Sequence, residues 1–282
     1  MAADAFGLLG VAAHTFTETR HAIAVRKEDD EDRPASPGVV GWGREGGLRR
    51  EVGGYVEYGR ADYWQLHYQK DPEEFDWFQD YHSLKDYIST YVKTTDNILI
   101  PGCGSSAVGE LMFDDGYMLI TNIDFAESII DCMIEKYRDR FTMEWHHMNV
   151  CAMEFPVETF DVVFAKGLID AIMCGESWAT RLNKCCEEIS RVLKPSGTFI
   201  VVTAGIPEKM IEPLEGDGHY HWKIEHVHAL AKPVVNLCSV PDTSNPRNVH
   251  YIYVLIKQAE SGIDRAPPKQ NFNKQTKMEV NK

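Results

Sequence analysis

The segment of residues 97–107 constrains the fold of this chain more than any other. An apolar run from Ile98 to Ile100 stops at Gly102-Cys103-Gly104, and helix-forming residues follow. This order is typical of a buried strand that enters a tight turn and opens a helix. Such a turn uses one glycine for a positive φ and another to let a ligand approach the backbone. The segment therefore predicts an α/β unit with a ligand at its turn.

A second apolar segment, residues 117–123, ends in Asp124, about twenty residues after the glycine turn. An acid at this offset is placed to accept hydrogen bonds from the two hydroxyls of a ribose. The two motifs together indicate a nucleoside cofactor and leave its identity open.

The rest of the chain alternates between strand and helix patterns. The predicted elements are a helix at 126–137, strands at 142–148 and 160–164, a helix at 178–193 and a strand at 198–203. The two strand-like runs at 219–229 and 247–257 have no helix between them, so they should pair antiparallel. We expect an α/β, Rossmann-like, seven-stranded, mostly parallel sheet with helices on both faces and an antiparallel C-terminal hairpin.

An aromatic region precedes the glycine turn. Residues 61–68 predict a helix with Trp64, His67 and Tyr68 on one face. Residues 74–81 interleave aromatic side chains with acids. This second stretch is either a lid helix packed on the core or an aromatic wall against a flat or cationic ligand.

The chain has 282 residues, of which 44% are hydrophobic, enough for one large α/β domain with two tails. Residues 1–54 predict a disordered head, because a charge run is followed by Pro- and Gly-rich sequence. Residues 55–258 predict the folded domain, and the polar residues 259–282 predict a disordered tail.

Charge and hydropathy exclude several kinds of partner. A formal net charge of −14 argues against binding to nucleic acid and suits a basic protein or a cationic substrate. No apolar run approaches the ~20 residues of a membrane span, so no membrane partner is predicted. The sequence leaves the oligomeric state open.

The seven cysteines form no C-x-x-C pair, which indicates reduced thiols and a cytoplasmic protein. Import into an organelle through the first 25 residues is the alternative. The histidine pairs 219/221 and 226/228 would point to opposite faces of a regular strand, so no metal site is predicted.

Further motifs bear on the cofactor. The turn has Ala107 where a dinucleotide-binding turn prefers a third glycine, and no G-K-[ST] follows as in a P-loop. After the next strand, Asn149 could bond an adenine amino group and Val150 could cover its ring. A Phe-Asp-Val-Val strand starts at Phe160.

Taken in order, these motifs resemble the seven-strand S-adenosylmethionine-dependent methyltransferases. The chain is most similar to the elongation factor 1-alpha lysine methyltransferases, in the group of lysine methyltransferase 4, over residues 58–258. The motifs that carry this resemblance are Asp62-Tyr63-Trp64 with Tyr68, Phe75-Asp76-Trp77-Phe78, the run from Pro101 to Ser106, Met148-Asn149-Val150, Glu154-Phe155-Pro156 and the run from Lys166 to Ala171.

The resemblance implies S-adenosylmethionine as cofactor and assigns residues to it. Gly102 would lie under the methionine moiety and Asp124 would bind the ribose. The other implied cofactor-binding residues are Gly104 in the turn, Phe125 beside the ribose, Asn149 and Val150 at the adenine, Trp64, Tyr68 and Trp77 on the N-terminal side, and Lys166 after the fourth strand.

For catalysis we expect Asp170 to draw in and orient an incoming lysine, although it could also be a helix-start acid favoured by the dipole. The chain departs from the family pattern at three positions. Asn149 and Ala165 stand where acids are usual, and Leu168 stands where threonine is usual. We expect a protein-lysine N-methyltransferase acting on elongation factor 1-alpha or a similar protein. The alternatives are a small-molecule methyltransferase and a catalytically silent cofactor-binding module.

Overall fold

The computed structural model describes residues 58–233, 243 and 245–259. The predicted disordered head at 1–54, and the predicted tail apart from its first residue, lie outside the described residues. Both therefore stay predictions.

The described residues form a seven-stranded sheet in the order β3-β2-β1-β4-β5-β7-β6. Its strands are β1 (Ile98–Pro101), β2 (Ile120–Asp124), β3 (Met143–His147), β4 (Phe160–Lys166), β5 (Leu193–Thr203), β6 (Trp222–Ala231) and β7 (Val249–Lys257). The first five strands pair in parallel, whereas β7 runs antiparallel to both β5 and β6. The predicted fold class and its C-terminal hairpin are thus confirmed.

Helices cover both faces of the sheet. They are α1 (Ala61–Lys70), α2 (Tyr81–Tyr91), α3 (Val108–Asp114), α4 (Glu127–Lys136), α5 (Leu168–Met173), α6 (Trp178–Val192) and α7 (Pro207–Glu215). Side chains alternate across each strand, so Leu99 packs in one apolar core while Ile98 and Ile100 pack in the other. The first core contains α5, α6 and α7, and the second contains α1 to α4.

Of the two interpretations of residues 74–81, the lid helix is wrong. Residues 71–80 form an irregular loop, and α2 starts only at Tyr81. The helix starts there because the Asp80 carboxylate accepts a hydrogen bond from the backbone N–H of Ser83 at 2.8 Å and caps it. The aromatic side chains of this loop are held by tertiary contacts and not by a helical repeat.

The two histidine pairs do not lie together on one regular strand. His219 and His221 precede β6 in a turn where His221 has a φ of 57°. His226 and His228 lie in β6, and His228 Nε2 is 2.7 Å from the Tyr91 hydroxyl. Within the part of the chain that the structure describes, no three His, Cys, Asp or Glu side chains are grouped as metal ligands would be.

Among the described residues, none of the helices is both long enough and apolar enough to cross a membrane.

Candidate active site at the carboxyl edge of the sheet

A cavity opens at the carboxyl ends of β1, β2 and β4. β1 lies between β2 and β4, so the order of the strands reverses at this point. Doubly wound α/β sheets bind their ligands at such a reversal. The position of the cavity therefore makes it the candidate active site.

The glycine turn after β1 forms one wall of this cavity. Gly102 and Gly104 have φ values of +63° and +51°, which side chains other than glycine rarely adopt. A Cβ atom on Gly104 would lie 2.4 Å from the Tyr68 hydroxyl oxygen, and one on Gly102 would lie 2.9 Å from Leu168 Cδ1. Both glycines are therefore required by backbone conformation and by close packing.

Asp124 ends β2 beside this turn, and its carboxylate is buried. Its Oδ2 accepts a hydrogen bond from the Gly104 N–H at 3.0 Å, and its Oδ1 accepts one from the Ala126 N–H at 2.9 Å. Burial raises the pKa of Asp124, and these backbone donors act in the opposite direction. A carboxylate offers about four acceptor positions, so Asp124 can still accept from the hydroxyls of a ligand.

Phe125 also lines the cavity, whereas neither Asn149 nor Val150 is among its described lining residues. Asn149 is exposed, and its Oδ1 accepts from the Cys151 N–H at 2.9 Å. Val150 is buried in the core. The Met148 N–H donates to the Asp124 carbonyl at 2.9 Å, so this segment lies beside the cavity. The adenine role of the pair stays a prediction.

Aromatic side chains form the opposite wall. The cavity is lined by the three predicted aromatic residues Trp64, Tyr68 and Trp77. Three further aromatic side chains also line it, those of Tyr58, Phe75 and Phe78. The ring centroids of Trp77 lie 5.9 Å from Trp64 and 5.4 Å from Tyr58. Of the two interpretations of residues 74–81, the aromatic wall matches the structure. Tyr58 was not singled out because nothing in the sequence before α1 marks it.

Lys166 ends β4 and lines the same cavity, although only 5% of its side chain is exposed. Its Nζ lies 2.9 Å from Asp76 Oδ1 and donates to the Trp77 carbonyl at 3.2 Å. Burial lowers the pKa of Lys166, and the Asp76 carboxylate partly offsets this. The lysine thus anchors the aromatic loop to the end of the sheet.

Asp170 lies in the first turn of α5 and also lines the cavity. Its Oδ1 accepts hydrogen bonds from Thr203 Oγ1 at 2.9 Å and from the Ala204 N–H at 3.2 Å. Its Oδ2 is buried and has no hydrogen-bond partner among the described residues. Burial raises the pKa of Asp170 to about 7, and its two donors only partly oppose this.

Arg181 on α6 holds the chain that enters α1. Its guanidinium donates to the backbone carbonyl of Gly59 and, at 3.2 Å, to that of Ile172. A Cβ atom on Gly175 would lie 1.8 Å from its Nη2, so this arginine needs a glycine beneath it. Its contacts join the Tyr58 end of the aromatic wall to α5, which carries Asp170.

Besides Tyr58, two residues at the site have no role in the sequence analysis. Asp76 belongs to the Phe75-Asp76-Trp77-Phe78 motif, but its pairing with Lys166 spans distant parts of the chain and leaves no local signal. Thr203 ends β5, and a polar residue at the carboxyl end of a parallel strand is the signal that could have found it.

Comparisons with known proteins assign this chain to a family. A family model described as a methyltransferase domain matches residues 99–201. EEF1A lysine methyltransferase 4 of Bos taurus is 32% identical over 179 residues, which span 60% of this chain and 70% of that protein. The Mus musculus protein of the same name is 30% identical over 180 residues, with the same coverage.

A second kind of relative and a solved structure are also similar to this chain. The eEF1A lysine and N-terminal methyltransferase of Homo sapiens is 32% identical over 182 residues, which span 62% of this chain but 26% of that protein. A solved structure described as "Conversion of a Disulfide Bond into a Thioacetal Group during Echinomycin Biosynthesis" matches with a TM-score of 0.53. It is 13% identical and covers 72% of this chain and 94% of its own, so it supports the fold alone.

The cavity itself fits S-adenosylmethionine. It combines a turn with two closely packed glycines at positive φ, a buried carboxylate with free acceptor positions, and an aromatic wall. These features suit the methionine part, the ribose and the flat or cationic parts of that cofactor. With the identity to the cattle and mouse proteins over 70% of their length, the chain belongs to the EEF1A lysine methyltransferase 4 family and is an S-adenosylmethionine-dependent methyltransferase.

Proposed function

We propose that this enzyme is a protein-lysine N-methyltransferase that acts on elongation factor 1-alpha or a similar protein. The observation that carries the proposal is the Asp170 carboxylate, whose buried Oδ2 lies unpartnered, among the described residues, in a chain of this family. A buried acceptor of this kind is expected to find a donor when the substrate binds. The ammonium group of lysine is such a donor.

The lysine must lose its proton before it can accept a methyl group. A free lysine has a pKa near ~10.4, so about one in a thousand side chains is neutral at pH 7. Burial beside the cavity lowers the pKa of an amine, and burial has already raised the pKa of Asp170 to about 7. The two values therefore approach each other, and Asp170 can both attract the ammonium and take up its proton at Oδ2.

The predicted residues that line the cavity would hold and orient the cofactor, which supplies an activated methyl group on a positively charged sulfur when bound. Asp124 would accept from the ribose, and the turn at Gly102 and Gly104 would present backbone N–H groups. Trp64, Tyr68 and Trp77 would exclude water from the reacting groups. These roles are part of the proposal, supported by the position of each residue on the cavity wall.

The acidic chain supports a basic protein partner, because opposite charge steers association. We place no nucleic acid or membrane among the partners. We also propose a cytoplasmic location, supported by six described cysteines that are all free thiols.

The test is methyl transfer from labelled S-adenosylmethionine to purified elongation factor 1-alpha, followed by mass spectrometry of the labelled residue. We expect label on lysine. We expect Asp170→Asn to lower kcat/KM by roughly 10²-fold or more, because the amide cannot take up a proton. Calorimetry with S-adenosylhomocysteine, whose sulfur is neutral, should show an affinity within about twofold of the original.

Asp131→Asn is the matched control, because it removes the same charge from an exposed position on α4. It should leave turnover unchanged. A cell extract is the second substrate in this test. Label that appears only on its metabolites, and on no protein, would favour a small-molecule methyltransferase. Binding of the cofactor with no transfer to any fraction would favour a silent module.

A further inference from the structure

The ion pair between Lys166 and Asp76 has no part in the proposed chemistry, yet it lies at the cavity. Ion pairs as deeply buried as this one cost desolvation energy and are weak evidence of a stabilising role. The exposed fractions of the two side chains are 5% for Lys166 and 17% for Asp76. Their position therefore calls for another explanation.

The pair connects three parts of the site. Asp76 Oδ1 accepts a hydrogen bond from the Ser106 hydroxyl in the glycine turn, and it contacts Lys166 at the end of β4. Lys166 also donates to the carbonyl of Trp77. The Asp76 carboxylate is thus fixed between the turn and the aromatic wall.

The charges around the cavity explain why this matters. Among the described residues that line it, the carboxylates are Asp124 and Asp170, and the cation is Lys166. Asp76 is not itself among those lining residues, but its carboxylate is 2.9 Å from the Lys166 ammonium. The charge of the ammonium is therefore balanced by a carboxylate next to the cavity.

The cofactor and its product differ in one charge. S-adenosylmethionine carries a positive sulfur, whereas S-adenosylhomocysteine has a neutral thioether and is otherwise the same molecule apart from the methyl group. An unpaired ammonium on the cavity wall would repel the positive sulfur of the cofactor, a charge that the product lacks, and in a buried site this repulsion is stronger than in water.

We infer that Asp76, by pairing with Lys166, sets the preference of the cavity for the charged cofactor over its neutral product. It is a specificity-determining residue that acts through the lysine. Without the carboxylate, the enzyme would bind its product relatively better and would be inhibited by it more strongly.

The test compares the dissociation constants of S-adenosylmethionine and S-adenosylhomocysteine by calorimetry at pH 6.5 and about 0.1 M salt, where surface charges are screened over ~10 Å. The lower pH favours the protonated form of Lys166 once Asp76, whose carboxylate offsets the effect of burial on the lysine pKa, has been replaced. Asp76→Asn keeps the shape and hydrogen-bonding capacity of the side chain and removes its charge. We expect it to shift the ratio of the two constants at least about fivefold in favour of the product. Lys166→Met should shift the ratio in the opposite direction.

The control is Glu74→Gln, in the same loop. Glu74 pairs with Lys136 at the surface, where both side chains are more than a third exposed. This variant changes the net charge by the same amount and should leave the ratio within about twofold of the original.

The double variant Asp76→Asn/Lys166→Met protects the test against simple misfolding. It restores a neutral pair and should return the ratio to that of the original chain, whatever the loss of absolute affinity. Equal weakening of both ligands by Asp76→Asn would overturn the inference and leave Asp76 as a structural tether. A shift in the same direction by Lys166→Met would overturn it as well.

Discussion

The side chain of Asp170 gives the site a pH-dependent cost in stability. Its pKa is about 7 in the folded protein, against roughly 3.9 in an unfolded chain. Between these two values the folded state holds a proton that the unfolded state has lost, so stability falls as pH rises. The folded state therefore carries no cost from Asp170 below pH ~4. The cost grows as the pH rises and is fully established once the pH passes about 7.

Asp170→Asn removes this titration while keeping the shape of the side chain. We expect the free energy of unfolding of the variant, relative to the original, to increase by roughly 2–3 kcal/mol between pH 5 and pH 8.5. Urea denaturation at the two pH values measures it. The exposed Asp131→Asn should follow the original chain, and parallel curves for both variants would contradict the raised pKa.

Single residues also show how far sequence reasoning reaches into the site. Gly102, Asp124 and Lys166 could be assigned to one cavity because each lies at the carboxyl end of a strand or directly after it, and parallel strands end at the same edge. The Thr203 partner of Asp170 could not be assigned, because the contact joins β5 to α5 across 33 residues. Motifs thus predict the local cofactor side, whereas the polar contacts across the cavity depend on packing.

The segment that enters α1 depends on one side chain of α6. Arg181 donates to the carbonyls of Gly59 and Ile172, and hydrogen bonds from charged donors contribute about 1.5–3 kcal/mol each. We expect Arg181→Met to release Tyr58 and weaken cofactor binding about five- to tenfold, because part of the aromatic wall becomes mobile.

Calorimetry with S-adenosylhomocysteine measures this effect. Arg138→Met is the control, because Arg138 is exposed and pairs only with the neighbouring Glu135 among the described residues. An affinity of Arg181→Met equal to that of the control would show that the α1 segment is held by its own packing.

Secondary structure was predictable where hydrophobic periodicity was strong. Three residues predicted on the apolar face of α4, Ile129, Ile130 and Met133, are buried, whereas the fourth, Ile134, is 48% exposed. Residues 71–80 lack such a repeat, and their conformation follows from the Asp80 cap and the contacts of Lys166. The start of β6 at Trp222 was likewise missed, because the turn before it depends on a positive φ at His221.

For the whole molecule, cofactor binding should stabilise the folded state. A ligand at 100 times its Kd adds roughly 2.7 kcal/mol, which corresponds to a rise in Tm of about 5–10 °C for a domain of this size. Thermal denaturation with saturating S-adenosylhomocysteine measures it. NAD at the same concentration should leave Tm unchanged, and a shift with NAD alone would contradict the cofactor assignment.

The position of β7 has a consequence for synthesis on the ribosome. β7 is the last strand in chain order but lies between β5 and β6. Both neighbours therefore leave the exit tunnel before the strand that joins them, and they present unpaired edges until residues 249–257 follow. A nascent chain stalled before residue 249 would leave the β7-facing edges of β5 and β6 unpaired, and unpaired strand edges are prone to aggregation.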